Sequence, residues 1–237
     1  MKINADFTTA AYVATSSQEW IASPMSGVDR KPLDRVGEEV ARATSIVRYA
    51  PKSSFSPHVH SGGEEFVVLE GVFQDEHGDY PVGSYVRNPP QSRHKPSSAD
   101  GCVIFVKLWQ FQADDRQHVN IDMTKAPVTF QNSTKELTER LVYKDVFEEV
   151  KYVVLAPNAA WKINQSNGIE ILLLDGKADY EDITLAKHDW LRIPQGISIS
   201  LQASAEGAKL WLKTGNIADV KNQIKRVVSA SKLLMSG

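Results

Sequence analysis

The sequence of 237 residues contains a single cysteine, Cys102. One cysteine excludes a disulfide bond within the chain, and it excludes a cysteine-based zinc site or an iron–sulfur cluster held by this chain alone. A metal bound by this chain would therefore need histidine and carboxylate ligands. Cys102 opens an apolar run, where a free cysteine is commonly an unreactive core residue, and no basic neighbour in the sequence favours a reactive thiolate.

The sequence also lacks an excess of charge of either sign and a long apolar run. Lys and Arg number 27, Asp and Glu number 29, and the net charge is -2. This balance does not favour binding to nucleic acid or to an anionic membrane. The N-terminal residues have no continuous apolar segment typical of a secretory signal, and no window approaches the roughly 18 apolar residues of a membrane span. We therefore expect a cytoplasmic protein that binds neither nucleic acid nor membrane.

What the sequence does contain is a series of short runs of β-branched and aromatic residues, separated by turns rich in Gly, Pro, Asn and Asp. Short strands at near-regular spacing are typical of an all-β sandwich or barrel. The predicted strands are Ser45–Tyr49, Glu65–Glu70, Ser84–Arg87, Cys102–Trp109, Lys151–Leu155, Glu170–Leu174, Asp189–Ile193, Ile197–Gln202 and Lys209–Lys213.

Few helices are predicted, and they are short. Ser133 and Glu136 form a capping box, which predicts a helix near residues 134–141. Apolar residues from Val220 to Leu234 recur at roughly helical spacing, which predicts a helix near the end of the sequence.

The chain repeats itself at a nearly constant offset. Gly71 recurs as Gly176, 105 positions later, and the segment 101–107 matches 207–213, 106 positions later. We infer a duplicated β unit of roughly 100 residues, and two copies with so long a period are not typical of a solenoid or propeller. The predicted domains are 1–125 and 126–237.

Three histidines and one glutamate form a candidate metal site. His58 and His60 begin a strand region, where residues two apart point to the same face. Glu64 follows after a Ser-Gly-Gly turn, and His94 lies beyond the next turn cluster, where a partner strand could bring it back. Three imidazoles and one carboxylate suit a divalent transition metal such as zinc, iron(II), manganese or nickel.

This spacing resembles that of the cupin family. The segment HVHSGGEEFVVLEG is similar to the first cupin motif, in which Glu64 rather than Glu65 matches the ligand because six residues separate it from Gly71. The segment DYPVGSYVRNPPQSRH is similar to the second motif and ends at His94. Residues 19–111 resemble more closely the ChrR-like cupins, the metal-binding domain found at the C-terminus of ChrR-type anti-sigma factors.

The resemblance implies a double-stranded β-helix barrel with one divalent metal at its mouth, held by His58, His60, Glu64 and His94. It implies zinc first, with iron, manganese and nickel as alternatives, and one or two coordination positions left for water or a small ligand. Two such barrels in tandem would make the chain an all-β bicupin. No separate catalytic base stands out from the sequence.

Two departures from the family pattern limit what it implies. Lys52 stands where the first motif often has glycine. ChrR-type anti-sigma factors also have an N-terminal helical zinc domain that binds the sigma factor, and nothing of that kind fits ahead of residue 19. We therefore do not expect anti-sigma activity to follow from the resemblance alone.

The second half is expected to keep the barrel without the metal. At an offset of 106, the positions that match His58, His60 and Glu64 are Asn164, Ser166 and Glu170, and at an offset of 105 His94 matches Ile199. A gap of one residue would pair the two histidines with Lys162 and Asn164 instead. Every such alignment loses all three histidines, so this half would serve as a packing partner or as a pocket without metal chemistry.

Three hypotheses for function follow. The first is a regulatory or sensor protein that responds to a small molecule or an oxidant, with a further protein as partner. The second is an iron(II)-dependent cupin dioxygenase acting on a small diketone-like substrate, for which Glu65, His77 and Tyr85 are only candidates as additional catalytic groups. The third is a structural role, with the metal stabilising the barrel. In each case we expect a homodimer, because small barrels commonly pair their exposed edge strands.

Overall fold

The computed structural model describes residues 1–129, 134–164 and 167–235. Contacts among Cα atoms divide the chain into two compact units. The first unit consists of residues 1–5, 19–122 and 220–237, and the second of residues 6–18 and 123–219. Compared with the predicted domains 1–125 and 126–237, two segments are exchanged: 6–18 joins the second unit, and the segment from residue 220 onward joins the first.

Both units are built almost entirely of antiparallel strands. The strands up to residue 122 are β1 (Lys2–Ile3), β2 (Ala11–Val13), β3 (Ile21–Ala22), β4 (Val28–Gly37), β5 (Ala41–Tyr49), β6 (Ser53–Ser54), β7 (His58–His60), β8 (Glu64–Asp75), β9 (Gly78–Pro81), β10 (Ser84–Asn88), β11 (Ser92–His94), β12 (Ser97–Ser98), β13 (Cys102–Leu108) and β14 (Val119–Asp122). The later strands are β15 (Leu137–Lys144), β16 (Glu149–Leu155), β17 (Ala160–Ile163), β18 (Ile169–Tyr180), β19 (Ile183–Leu185), β20 (Trp190–Ile193) and β21 (Ile199–Thr214).

Helical structure in the described residues is short. Single turns of 3-10 helix lie at Thr15–Ser17, Met123–Lys125 and Asn216–Asp219, and the α-helix α1 spans Val220–Met235. None of the described helices combines the length and the apolar character that crossing a lipid bilayer requires.

The main sheet of the first unit has the order β1-β4-β5-β13-β8-β10-β14, and β7 and β11 form a separate two-stranded sheet. Its core is rich in aromatic and β-branched side chains from β8 and β13, including Phe66, Phe73, Ile104 and Val106. Burial of these apolar side chains is the main favourable contribution to the folding of the unit.

Helix α1 is joined to the first unit by a buried polar contact. The Arg42 guanidinium donates hydrogen bonds to both carboxylate oxygens of Asp34 at 3.0 Å and to Oε1 of Gln223, on the helix, at 2.7 Å. All three side chains are buried. Because an unpaired buried guanidinium would be costly, this network fixes the helix against the strands that carry Asp34 and Arg42.

The sheet of the second unit has the order β15-β16-β21-β18-β20-β2. Its core is largely aliphatic, with fully buried Ile169, Ile171, Leu173 and Leu210. Strand β2 comes from the start of the chain and pairs with β20, for example Tyr12 with Leu191.

The two sheets repeat one topology, which confirms the predicted pair of barrels. The order β4-β5-β13-β8-β10 in the first unit corresponds to β15-β16-β21-β18-β20 in the second. Gly71 and Gly176 both have positive φ, and a Cβ atom would lie 2.1 Å from the carbonyl oxygen of Gly101 in one case and 2.2 Å from that of Gly207 in the other. The repeated glycines are therefore required by the same close approach of two strands in each barrel.

One predicted helix is wrong and the other is confirmed. The capping box predicts a helix near residues 134–141, but Leu137–Lys144 form strand β15, and Ser133 lies outside the described residues. The hydroxyl of Thr134 accepts hydrogen bonds from the backbone N–H groups of Glu136 and Leu137. Thr134 and Glu136 therefore belong to the bend that leads into β15, not to the start of a helix. Pairing with β16 along the whole strand outweighs the local preference for helix. The second predicted helix is α1.

Candidate metal centre

The two-stranded sheet places three imidazoles on one face. β7 pairs with β11 in antiparallel register, with His94 opposite His58 and Ser92 opposite His60. Because His58 and His60 are two residues apart, all three rings project to the same side. Their ring centroids are 4.7 to 5.1 Å apart, and their candidate ligand atoms all lie within 4.8 Å of one another.

Glu64 completes the cluster. It opens strand β8 after the turn 61–63, and its Oε2 lies 3.3 Å from Nε2 of His60 and 3.6 Å from Nε2 of His94. The structure therefore brings together all four residues that the sequence singled out. The Nε2 atoms of His60 and His94 are 3.0 Å apart, and two ligands at right angles, each about 2.1 Å from a shared zinc, would have about this separation.

Hydrogen bonds fix which nitrogen of two rings faces the cluster. Nδ1 of His94 donates to Oδ2 of Asp75 at 3.2 Å, and Nδ1 of His58 donates to the carbonyl oxygen of Ser56 at 3.3 Å. With Nδ1 protonated, Nε2 of each ring keeps a free lone pair, which is the form that ligates a metal. Partners of this kind commonly support metal-ligating histidines.

Sequence reasoning missed Asp75. Its carboxylate accepts hydrogen bonds from the hydroxyl of Tyr80 at 3.1 Å and from the backbone N–H of His77 at 2.8 Å, in addition to His94. These hydrogen bonds lower the pKa of Asp75 although burial alone would raise it. The only signal in the sequence was a turn-like acidic segment around His77, and no spacing rule connects that segment to His94.

The electrostatic environments of the buried histidines differ. Burial lowers the pKa of His60, and the nearby charge of Glu64 only partly opposes this effect. Burial would also lower the pKa of His94, but the hydrogen bond to Asp75 and the charge of Glu64 outweigh it and raise the pKa. A metal would bind the unprotonated Nε2 atoms, so protonation of either ring would compete with metal binding.

A pocket of about 210 Å³ opens at this cluster. Three of the four residues, His58, His60 and Glu64, line it, together with Arg30 and Arg35. The remaining walls are largely apolar and come mainly from β4, β5 and β13; they include Val28, Val47, Tyr49, Phe55, Val106 and Leu108. A small molecule in the pocket would lie against the metal-ligand candidates and would be shielded from water by these walls.

The other candidate groups lie elsewhere. The Tyr85 hydroxyl donates to Oε1 of Glu65 at 3.0 Å, both side chains are buried, and neither lines the pocket. His77 is exposed. Cys102 is buried, and burial raises the pKa of its thiol to about 11, in keeping with the expected unreactive core residue.

The second unit has isoleucines where the first has metal-ligand candidates. Ile163 pairs with Ile199 at the register positions where His58 pairs with His94. Ile169 is the counterpart of Glu64, because Ile169 pairs with Ile193 and Thr214 where Glu64 pairs with Asn88 and Leu108. All three isoleucines belong to the apolar core of the second unit.

The expected equivalence of Glu64 and Glu170 is therefore wrong. Glu170 pairs with Arg192 and Lys213, as Glu65 pairs with Arg87 and Lys107, so Glu170 is the counterpart of Glu65. Between β8 and β18 the repeat offset is therefore 105 and not 106. With this offset the counterpart of His58 is Ile163 and not Asn164. Ser166, the expected counterpart of His60, lies outside the described residues.

A buried polar network is duplicated with this pair of glutamates. Oε1 of Glu65 accepts a hydrogen bond from the hydroxyl of Tyr85 at 3.0 Å, and Oε1 of Glu170 accepts one from Nε1 of Trp190 at 2.8 Å. The guanidinium of Arg87 stacks on Phe111, with 4.2 Å to the ring centroid, and that of Arg192 stacks on Phe7 at 4.1 Å. The same polar core supports both barrels, although only one of them has the histidines.

The second unit has a cavity of its own, of about 370 Å³. Its lining includes Trp161 and a charged group in which Nζ of Lys151 lies 2.8 Å from carboxylate oxygens of both Glu139 and Glu149. These hydrogen bonds raise the pKa of Lys151 although burial alone would lower it. Among the described residues, no histidine lines this cavity.

Comparison with known proteins agrees with this architecture. Residues 8–112 match the family described as the ChrR Cupin-like domain. No curated protein matches the chain. Among solved structures, a candidate dioxygenase from Nostoc punctiforme has a TM-score of 0.70 and 14% identity, with 89% of this chain and 84% of that chain covered.

Two further neighbours of known structure contain metals. The oxalate decarboxylase of Bacillus subtilis, which has Mn(II) centres, has a TM-score of 0.62 and 10% identity, covering 87% of this chain and 77% of that chain. A bacterial pirin from Escherichia coli, in complex with nickel(II), has a TM-score of 0.61 and 13% identity, covering 87% and 99%. At such identities the likeness shows the fold alone. The chain therefore carries a ChrR cupin-like domain over residues 8–112, within a protein of the cupin fold.

Proposed function

We propose that His58, His60, Glu64 and His94 bind one divalent transition metal, and that the protein is a regulatory or sensor cupin that recognises a small anionic molecule at this metal. The observation that carries the proposal is the convergence of the four side chains, three of which line one pocket. Zinc is the first expectation, and iron, manganese and nickel are the alternatives that the same donors accept.

The donor set supports a bound cation. Nδ1 of His58 is hydrogen-bonded to the carbonyl oxygen of Ser56, and Nδ1 of His94 to the carboxylate of Asp75. Nε2 of each ring is therefore available to a metal. Without a cation, the buried side chains of His60, His94 and Glu64 crowd against one another at 3.0 to 3.6 Å, where a divalent metal would be their common partner. A divalent metal held there would supply Lewis acidity to a molecule in the pocket.

The charge of the pocket supports an anionic ligand. Arg30 and Arg35 both line it, and among the described residues Glu64 is the only acidic one in the lining. Burial lowers the pKa of Arg35, and the positive charge of Arg30 lowers it further. A carboxylate or enolate between these guanidinium groups would relieve their repulsion and accept charge-assisted hydrogen bonds. The apolar walls would contact the remainder of a small molecule.

A second candidate function is that of a metal-dependent dioxygenase acting on a small diketone-like substrate. The observation that favours it is that the pocket opens directly on the candidate ligands, as substrate access requires. The Nostoc punctiforme neighbour, itself a candidate dioxygenase, has the same fold. The pocket also makes a purely structural metal, closed off by protein on all sides, the weaker hypothesis.

The regulatory form of the proposal needs a partner that reads the ligand-bound state. The resemblance to the ChrR cupin domain supports a protein partner. A homodimer and a cytoplasmic location are part of the same proposal and rest on the sequence arguments alone.

The test is metal content by elemental analysis after anaerobic purification without chelator. We expect about one metal per chain in the wild type, and its loss from the His58→Ala/His60→Ala double variant. The matched control is His77→Ala/His118→Ala, which removes two exposed histidines outside the cluster. Metal that survives the first double variant, or that is lost equally in the control, would overturn the proposed site.

The metal then separates the two candidate functions. Iron, followed by substrate-dependent oxygen uptake with a panel of diketones, would support the dioxygenase. Zinc, without oxygen uptake, would support the regulatory protein and direct the work to partner capture with and without oxidant. Binding of malonate, measured by calorimetry, tests the anionic ligand: Arg30→Met and Arg35→Met should each weaken it without changing the metal content.

A further inference from the structure

The first unit has a second cavity, which shares no lining residue with the pocket at the histidines. Its volume is about 380 Å³, within the range of small-molecule sites. We call it the basic groove, after the residues that give it its character: Trp109, Phe111, Arg116, Lys225 and Arg226. In the part of the chain that the structure describes, no Asp or Glu lines it.

The aromatic wall of the basic groove is held in place. Trp109 has a φ of 61, a conformation that is uncommon for a large side chain, and its backbone N–H donates to the carbonyl oxygen of Gly63 at 3.2 Å. The indole lies directly on Gly62, where a Cβ would come within 2.1 Å of the ring, and Phe111 lies in the same way on Gly63 at 2.5 Å. A strained backbone held by close packing is often found where a side chain is positioned for a purpose.

Two cations of the basic groove, Arg116 and Lys225, have no carboxylate partner among the described residues. The Arg116 guanidinium donates to the carbonyl oxygens of Ala113 and Asp115, at 3.0 and 2.5 Å, and within the described part of the chain no carboxylate pairs with it. The carboxylate of Asp115 is engaged by Arg87 at 2.8 Å instead. Lys225 is exposed on α1 and likewise has no ion pair among the described residues.

We propose that the basic groove binds a small aromatic anion, with its ring on Trp109 and its carboxylate or phosphate between Arg116, Lys225 and Arg226. Stacking on a rigid indole selects a planar ring, and three cations in a lining that has no Asp or Glu among the described residues select the negative charge. The volume suits a molecule of about the size of a mononucleotide. This site is separate from the metal proposal, because none of its residues is a candidate ligand.

The test uses metal-free protein, so its result does not depend on the proposed metal site. Calorimetry would compare two aromatic anions, adenosine monophosphate and naphthoate, with uncharged adenosine and with inorganic phosphate. We expect the better aromatic anion to bind about tenfold more tightly than either adenosine or phosphate, since both the ring and the charge contribute. The preference between the phosphate and the carboxylate probe identifies the anionic group.

Charge reversal locates the site. Arg116→Glu and Lys225→Glu should each weaken binding of the preferred probe by about tenfold. Lys221→Glu, which reverses an exposed charge on the same helix outside the groove, should leave it unchanged. Thermal unfolding of each variant checks that the protein is folded. The proposal is overturned if neither aromatic anion binds more tightly than phosphate, or if Lys221→Glu weakens binding as much as Lys225→Glu does.

Discussion

Oδ2 of Asp75 lies 3.2 Å from Nδ1 of His94 and accepts its proton in a hydrogen bond. The carboxylate is at the end of strand β8, eleven residues beyond Glu64 at its start, and so one strand supplies both a candidate ligand and the support for another. This hydrogen bond fixes the orientation and tautomer of the imidazole. The negative charge of Asp75 also makes Nε2 a stronger electron-pair donor to a metal.

We therefore expect Asp75→Asn to weaken metal binding by about tenfold to a hundredfold while leaving the four candidate ligands in place. Competition with a chromophoric chelator measures this affinity. Asp79→Asn, which changes an exposed carboxylate on the neighbouring strand, is the matched control and should behave as the wild type. Equal affinities of the Asp75 variant and the wild type would show that the hydrogen bond is not part of a metal site.

The isoleucines of the second unit give a contrasting prediction. Ile163→Ala and Ile199→Ala each leave a void in a close-packed core, and each should lower the free energy of unfolding by about 2–5 kcal/mol. Neither should change the metal content. Ile197→Ala, at an exposed position close by, should leave the stability nearly unchanged. Urea unfolding followed by tryptophan fluorescence measures the difference, and a loss of metal in the Ile199 variant would mean that the second barrel contributes to the site.

The duplicated polar network predicts similar losses in both units. Glu65 and Glu170 are almost fully buried among basic and aromatic partners. Removing one buried charge leaves its partners uncompensated, so Glu65→Ala and Glu170→Ala should each destabilise the protein by about 3–5 kcal/mol. Glu206→Ala, at an exposed position of β21, serves as control. A negligible effect in one unit alone would show that the network has lost its structural role there.

Cys102 gives a prediction about pH and oxidants. Because burial raises the pKa of the thiol to about 11, only about one molecule in a thousand carries the thiolate at pH 8. Thiol labelling of the native protein should therefore be slow and should accelerate as the pH rises toward 11. The unfolded protein should label rapidly at pH 8. Rapid labelling of the native protein at pH 8 would contradict this prediction and would indicate that the thiol can respond to oxidants.

The sequence was sufficient to predict much of the fold and all four residues of the candidate centre. The barrels follow from short strands and from repeated glycines, because the same close approach of strands requires glycine at Gly71 and Gly176. The cluster of His58, His60, Glu64 and His94 follows from fixed spacing along two short strands. These are local patterns, and local patterns can be seen in a single sequence.

What could not be predicted depends on contacts between distant positions. Asp75 supports His94 only because β8 is long enough to return to it. Glu170 was taken for the counterpart of Glu64 because two adjacent glutamates cannot be told apart when the repeat offset varies by one residue. The strand at 137–144 was mistaken for a helix because its pairing partner, β16, outweighs the local signal.

The exchange of terminal segments has a consequence for how the protein is made. During translation, residues 19–122 leave the ribosome before most of the second unit is made. The first unit is nevertheless complete only when α1 places Gln223 against Arg42. The second unit, in turn, needs β2, which is translated before strands β3 to β14 of the first unit. A fragment of residues 1–125 would lack α1, and a fragment of residues 126–237 would lack the edge strand β2. The histidine cluster is thus translated ahead of most of the second unit, whereas the unit that contains it is completed only after the second one.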